Sequence, residues 1–147
     1  GMQGGTAATQ DVFIEHVGMP ILACIPQAVK ALQDLGMHRK VQLIVSGGIR
    51  SGADVAKALA LGADAVAIGT AALIALGDND PKWEEEYQKL GTTADAYDDW
   101  HEGRDPAGIT TQDPELYSRF DPILGGRRLK NYLKVMTLEA QTIARAC

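Results

Sequence analysis

Two short apolar stretches, each closed by glycine and separated by one helix length, constrain this chain more than any other feature. VQLIV (residues 41–45) runs into Ser46–Gly47–Gly48–Ile49–Arg50–Ser51–Gly52, and DAVAI (64–68) runs into Gly69–Thr70–Ala71. Between them, residues 52–61 place Val55, Ala58 and Leu59 on one helical face. Ser51 stands where an N-cap belongs and Gly62 where the helix must stop. Strand–helix–strand with so short a crossover predicts a parallel, right-handed βαβ unit with strands buried on both faces.

Both glycine turns hand a strand over to a helix, the second of these being a short one at 71–76. In a (β/α) barrel such turns lie at the C-terminal ends of neighbouring strands, where the last βα loops often hold phosphate. A residue without Cβ lets main-chain N–H groups approach an anion closely, and a following helix N-terminus adds partial positive charge. The candidate cradle is therefore Ser46, Gly47, Gly48, Ile49, Gly69 and Thr70. The amides of Gly48, Gly69 and Thr70 and the Thr70 hydroxyl are the expected donors to a phosphate monoester. A glycine turn that merely ends a strand needs no ligand, and one alone would read as structural. Two turns across a single crossover favour phosphate. Neither the lysine pattern of a triphosphate loop nor a GxGxxG spacing occurs.

Around this centre the chain reads as follows. Residues 1–9 are a small, glycine-rich loop, and 11–17 are a short helix ended by Gly18. Residues 19–25, bracketed by Pro20 and Pro26, predict a short strand or extended segment. Apolar positions 28, 31, 32 and 35 followed by Gly36 predict an amphipathic helix over 27–35. After Gly77 the texture becomes acidic, with a short helix expected at 82–90 and loop at 108–114. The final segment, 128–146, has an apolar helical stripe at 129, 132, 133, 136, 140, 143 and 144. That stripe is most simply core; beside an incomplete parallel sheet a dimer interface is the alternative.

Composition narrows the partners. A 147-residue chain of 46% hydrophobic residues has room for one domain with a real core. A net charge of −5 offers no general attraction for nucleic acid or an anionic membrane. No apolar run reaches membrane-spanning length, and the N-terminus lacks the pattern of a secretory signal. Cys24 and Cys147 form neither a metal spacing nor a disulfide framework, which fits a reducing cytoplasm. His16, His38 and His101 have no metal-type spacing, and no catalytic residue is identified. The run Asp78, Asp80, Glu84, Glu85 and Glu86 reads as a solvated helix start rather than a metal site. Arg127 and Arg128, after Gly125–Gly126, read as surface residues, with an anion contact as the alternative.

VSGGIRSGADVAKALALGADAVAIGTA resembles the last two βα units of FMN-binding TIM barrels, a stretch shared by IMP dehydrogenases and glycolate oxidases. Gly4–Gly5–Thr6–Ala7–Ala8 is similar to the GGTGA loop of glutamate synthases. The run from Gly108 to Leu116 (GITTQDPEL) is similar to the segment that follows their cluster cysteines. Together these cover most of residues 4–120 and resemble the glutamate synthase family. An IMP-dehydrogenase-like reading is disfavoured because no catalytic cysteine follows the glycine loop.

The resemblance implies an α/β chain, the last βα units of a partial TIM (β/α)8 barrel plus C-terminal helices. It divides the chain into 1–77 with the phosphate site and 78–147 as a helical extension. It also implies FMN, passing electrons to an imine of 2-oxoglutarate and ammonia. Gly47, Gly48, Gly69 and Thr70 would hold the FMN phosphate, and Gly4, Gly5 and Thr6 would lie near the flavin or the oxo-acid.

Where the family carries three cluster cysteines, this chain has Ala94, Trp100 and Asp105. The resemblance therefore implies no cysteine-ligated iron–sulfur cluster. It points to a divergent member, such as an N-methylglutamate synthase subunit. A complete barrel needs about 250 residues, so the chain is expected to be inactive alone. The alternative is a non-catalytic fragment or subunit that works as a homo-oligomer or with other glutamate-synthase-type domains.

Overall fold

The computed structural model describes residues 3–4, 11–89 and 104–147. Gly5, Thr6, Ala94, Trp100 and His101 lie outside them. At its centre, β1 (Ile44–Ser46) pairs in parallel with β2 (Ala65–Ala67), in register Ile44↔Ala65, Val45↔Val66 and Ser46↔Ala67. The crossover between them is α3 (Gly52–Ala60). The βαβ unit is thus present, with shorter strands than the apolar runs suggest. The first strand begins at Ile44 rather than Val41, and it is buried on one face: Val45 is 5% exposed while Ile44 is 63% exposed. The expectation of burial on both faces is corrected here. Among the described residues the sheet has two strands, and no third strand pairs with its outer edges.

The ends of the helices follow from local chemistry. Ser51 caps α3 by accepting from the Asp54 amide, and the Asp54 carboxylate returns to the Ser51 amide, a reciprocal capping box. Gly62, at φ 112°, then turns the chain out of the helix. Its amide bonds to Leu59 O and that of Ala63 to Ala58 O, which satisfies the last carbonyls. The same closure recurs at Gly36 and Gly77.

Residues 19–25 do not form a strand. α2 (Ile21–Asp34) starts directly after Pro20 and carries Pro26 inside it. Pro20 and Pro26 invite the extended reading, but Ile21, Ile25, Ala28, Val29 and Leu32 continue one helical stripe, and Ile25 is 2% exposed. Proline on the solvent side of the second turn costs one hydrogen bond and leaves that stripe intact. The other helices are α1 (Asp11–His16), α4 (Thr70–Leu76), α5 (Glu84–Lys89) behind a 3₁₀ turn at Pro81–Trp83, α6 (Pro114–Tyr117) and α7 (Pro122–Ala146). α7 begins six residues before the predicted start because Asp121 caps it through the amides of Ile123 and Leu124. Met136 is buried on the predicted stripe, whereas Leu133, at the stripe's edge, is 40% exposed.

The chain divides into two compact units. The described residues of the first are 3–4, 15–69 and 133–147, and those of the second are 11–14, 70–89 and 104–132. The first buries Ile25, Val45, Ile49, Ala58, Ala63 and Met136. The second is built round polar groups. The Tyr87 hydroxyl lies 3.1 Å from Asp78 Oδ1 and 3.0 Å from Asp105 Oδ1. Asp105 also accepts from the amides of Ala107, Ile109 and Thr110. Asp78 is 2% exposed, which corrects its reading as part of a solvated run. The Schellman closure at Gly77 folds it inward to meet Tyr87. Burial, then the neighbouring carboxylates of Asp105 and Asp78, push the Tyr87 phenol above its ordinary range.

Candidate functional site

The parallel register brings both glycine turns to the same end of the sheet, because Ser46 faces Ala67 and each strand runs straight into its turn. Gly47 and Gly48 both have positive φ, 110° and 68°, which strains any other residue. Their Cα hydrogens face Gln3. A Cβ on Gly47 would stand 2.8 Å from the Gln3 carbonyl oxygen, and one on Gly48 would stand 3.3 Å from Gln3 Cβ. Gln3 Oε1 in turn accepts from the Ile21 amide at 3.3 Å. The glycines of the first turn are thus explained by the close passage of the N-terminal segment. That passage also brings the Gly4 amide beside Gly47, so one residue of the predicted substrate loop meets the predicted phosphate turn. Around Gly69 a Cβ would meet nothing within 4 Å.

The amides of the two turns divide sharply. Those of Arg50 and Ser51 donate to Asp54 Oδ2 at 3.0 and 3.1 Å, and that of Gly52 donates to Glu139 Oε2 at 2.7 Å. Among the described residues, no group accepts from the amides of Gly48, Ile49, Gly69 or Thr70. Of these residues Ile49 is buried, Gly48 and Thr70 are half-buried and Gly69 is exposed. The electrostatics depart from the sequence-based expectation in one respect. The first turn of α3 does not offer its amides to a ligand, because carboxylates of the chain already take them. The donors that remain are those of the turn itself and of Gly69. Thr70 opens α4 in the second unit, while Ser46, Gly47, Gly48, Ile49 and Gly69 lie in the first.

Sequence reasoning missed three participants. Asp54 was legible, since Ser51 and Asp54 have capping-box spacing. Gln3 and Glu139 carry no such signal; they reach the turn only through the fold. The other candidates behave as surface or structural groups. Arg128 lies 4.0 Å from Asp80, and Gly125 is buried in α7, where a Cβ would meet the Phe120 ring at 2.6 Å. Among the described residues, no group of His, Cys, Asp and Glu is placed to hold a metal ion, and no helix is long and apolar enough to cross a membrane.

Comparison with known proteins adds the context. A family profile described as the conserved region in glutamate synthase matches residues 1–81. A glutamate synthase large subunit-like protein of Rhizobium meliloti (strain 1021) is 88% identical over all 147 residues, which span 33% of its length. The archaeal glutamate synthase [NADPH] of Methanocaldococcus jannaschii is 42% identical over 97% of the chain and 25% of its own length. The chloroplastic ferredoxin-dependent glutamate synthase of Oryza sativa subsp. japonica is 31% identical over 96% of the chain and 8% of its length. The chain thus spans a third or less of these relatives.

Proposed function

The chain belongs to the glutamate synthase family, and from that premise we propose that it carries the phosphate end of an FMN site in a glutamate-synthase-type oxidoreductase. One observation supports this above the others: the amides of Gly48, Ile49 and Gly69, at the same end of two paired parallel strands, have no acceptor among the described residues. A phosphate monoester accepts several such bonds at once, and backbone amides bind it without a charged side chain. The residues fit the group at this end. Gly69 leaves open space on its Cα, and the positive φ of Gly47 and Gly48 turns the backbone tightly at the strand end.

In the proposed site, Ser46 to Ile49 and Gly69 hold the phosphate; a share for Thr70 rests on family resemblance and on its following Gly69 in the chain. Gly4 is assigned to the flavin or oxo-acid side of the site, supported by its approach to Gly47; for Gly5 and Thr6, outside the described residues, the same role rests on family resemblance alone. When bound, FMN would relay electrons from a reductant outside this chain to an imine of 2-oxoglutarate and ammonia, or serve a related N-methylglutamate synthase reaction. No iron–sulfur cluster enters the proposal. Asp105, in a place where the family carries a cysteine, spends its oxygens on Tyr87 and three amides.

We assign β1 and β2 to the last βα units of a (β/α)8 barrel, within residues 1–77, with 78–147 as its helical extension. Further strands of the longer, cytoplasmic protein would pair with the outer sheet edges. The exposure of Ile44 supports that assignment. It equally favours a second reading, a subunit without activity of its own that assembles with copies of itself or with other domains.

Amide-resolved NMR on ¹⁵N-labelled chain, titrated with FMN and then inorganic phosphate, separates the two. The expected result is shifts at Gly48, Ile49, Gly69 and Thr70 with both. Shifts elsewhere, or none, end the phosphate assignment. A stable oligomer that takes no flavin would then favour the second reading.

A further inference from the structure

The turn that offers the free amides is continuous with α3, and α3 begins against another part of the chain. Gly52, its first residue, is buried on the backbone of α7. A Cβ there would collide with Met136 O, the Ala140 amide nitrogen and Glu139 Cβ. At this contact Glu139 Oε2 accepts from the Gly52 amide at 2.7 Å, a charge-assisted bond across 87 residues of sequence.

We propose that Glu139 is the positioning residue of the 47–52 turn. Its carboxylate pins the start of α3 and so fixes the amides of Gly48 and Ile49 in the orientation the anion needs. The inference deepens the phosphate reading above and rests on it for its functional meaning. Glu139 has a second effect on the same site. Asp54 takes the amides of residues 50 and 51, and Glu139 takes that of Gly52. These carboxylates neutralise the positive end of α3 and exclude a second anion from it. An incoming phosphate is thereby confined to Gly48, Ile49 and the neighbouring turn. Met136, one helical turn before Ala140, is 5% exposed and seats this face of α7, so the carboxylate is delivered by a packed helix rather than a free side chain.

The test uses the whole 147-residue chain and its E139A, E139Q and E139D variants, read by amide hydrogen exchange at residues 48–54 and by titration with inorganic phosphate. Loss of one charge-assisted bond in E139A is expected to speed exchange at Gly52 about tenfold, with α2 amides unchanged. E139Q keeps a neutral acceptor and should stay within about threefold of the parent. E139D keeps the charge on a side chain one methylene shorter and should exchange like E139A. It also decides the matter should E139A lose α2 protection and prove to be misfolded. Equal protection of Gly52 in all four chains, or E139Q as fast as E139A, overturns the assignment. In E139A and E139D the phosphate-induced shifts should move from Gly48 and Ile49 to the released Gly52 amide, and shifts that stay at Gly48 and Ile49 overturn the positioning role. If the parent chain binds neither phosphate nor FMN, the flavin reading fails on its own, while the exchange data still judge Glu139.

Discussion

The two units bury different chemistry. The first packs Ile25, Val45, Ile49, Ala58 and Met136 with no buried charge among the described residues. The second closes round Asp78, Asp105, Thr111 and Tyr87. Both present a loop shaped by carboxylates. At 105–113 the amides of Ala107, Ile109 and Thr110 all end on Asp105, and that of Asp113 ends on Thr111 Oγ1. At 47–52 the carboxylates of Asp54 and Glu139 stop short, and Gly48 and Ile49 are left with donors to give. The same elements make a self-satisfied loop in one place and a candidate receptor in the other. What separates them is the number of acceptors that tertiary packing delivers.

Substitutions can break this contrast or sharpen it. Asp105→Ala should have the largest effect, about 4 kcal/mol of stability lost in urea unfolding. It strands three amides and the Tyr87 hydroxyl in a buried site. Ile25→Ala probes the apolar unit and should cost about 3 kcal/mol, chiefly as a cavity. A greater loss for Ile25→Ala than for Asp105→Ala would mean that the polar centre contributes less than its bonding suggests.

Tyr87→Phe should cost about 1 kcal/mol at neutral pH, and pH dependence isolates its origin. Folding raises the phenol's pKa above its ordinary 10.0, so above that pH the native state holds a proton the unfolded chain releases. The associated stability is intact below pH 10.0 and erodes as pH rises beyond it. Parent protein followed by chemical unfolding at increasing alkaline pH should show this decline, and Tyr87→Phe should lack it. The smallest effect is a gain. Gly126→Ala, in the interior of α7 with nothing near its Cβ, should add about 0.8 kcal/mol. Gly125→Ala, pressed on Phe120, should lose stability instead. Thermal unfolding of the pair reads the sign directly.

Much of the fold was legible because it is local. The capping residue Ser51, the stop at Gly62, the crossover length and the stripe through Met136 all follow from spacing within a few residues. The strand boundaries were less so. Val41 and Gln42 are β-compatible, but pairing with β2 begins only at Ile44, because a hydrogen-bonded ladder needs a partner strand alongside and propensity cannot supply one. Residues 19–25 misled for the same reason: proline at 20 and 26 is a local signal, and burial of Ile25 is not. At the candidate site, the glycines were visible as turn formers. That Gly47 and Gly48 also make room for Gln3 was not, since it depends on the path of a segment more than forty residues earlier.

By itself the sequence determined the periodicities, caps and glycine stops, which write the βαβ unit and place two turns at one end of its strands. The tertiary structure decided which backbone donors those turns keep. Gln3 and Glu139 arrive from distant positions, and only packing brings them within hydrogen-bonding reach. Each amide has one hydrogen to give, so the arrival of an acceptor settles whether it serves the fold or remains for a ligand.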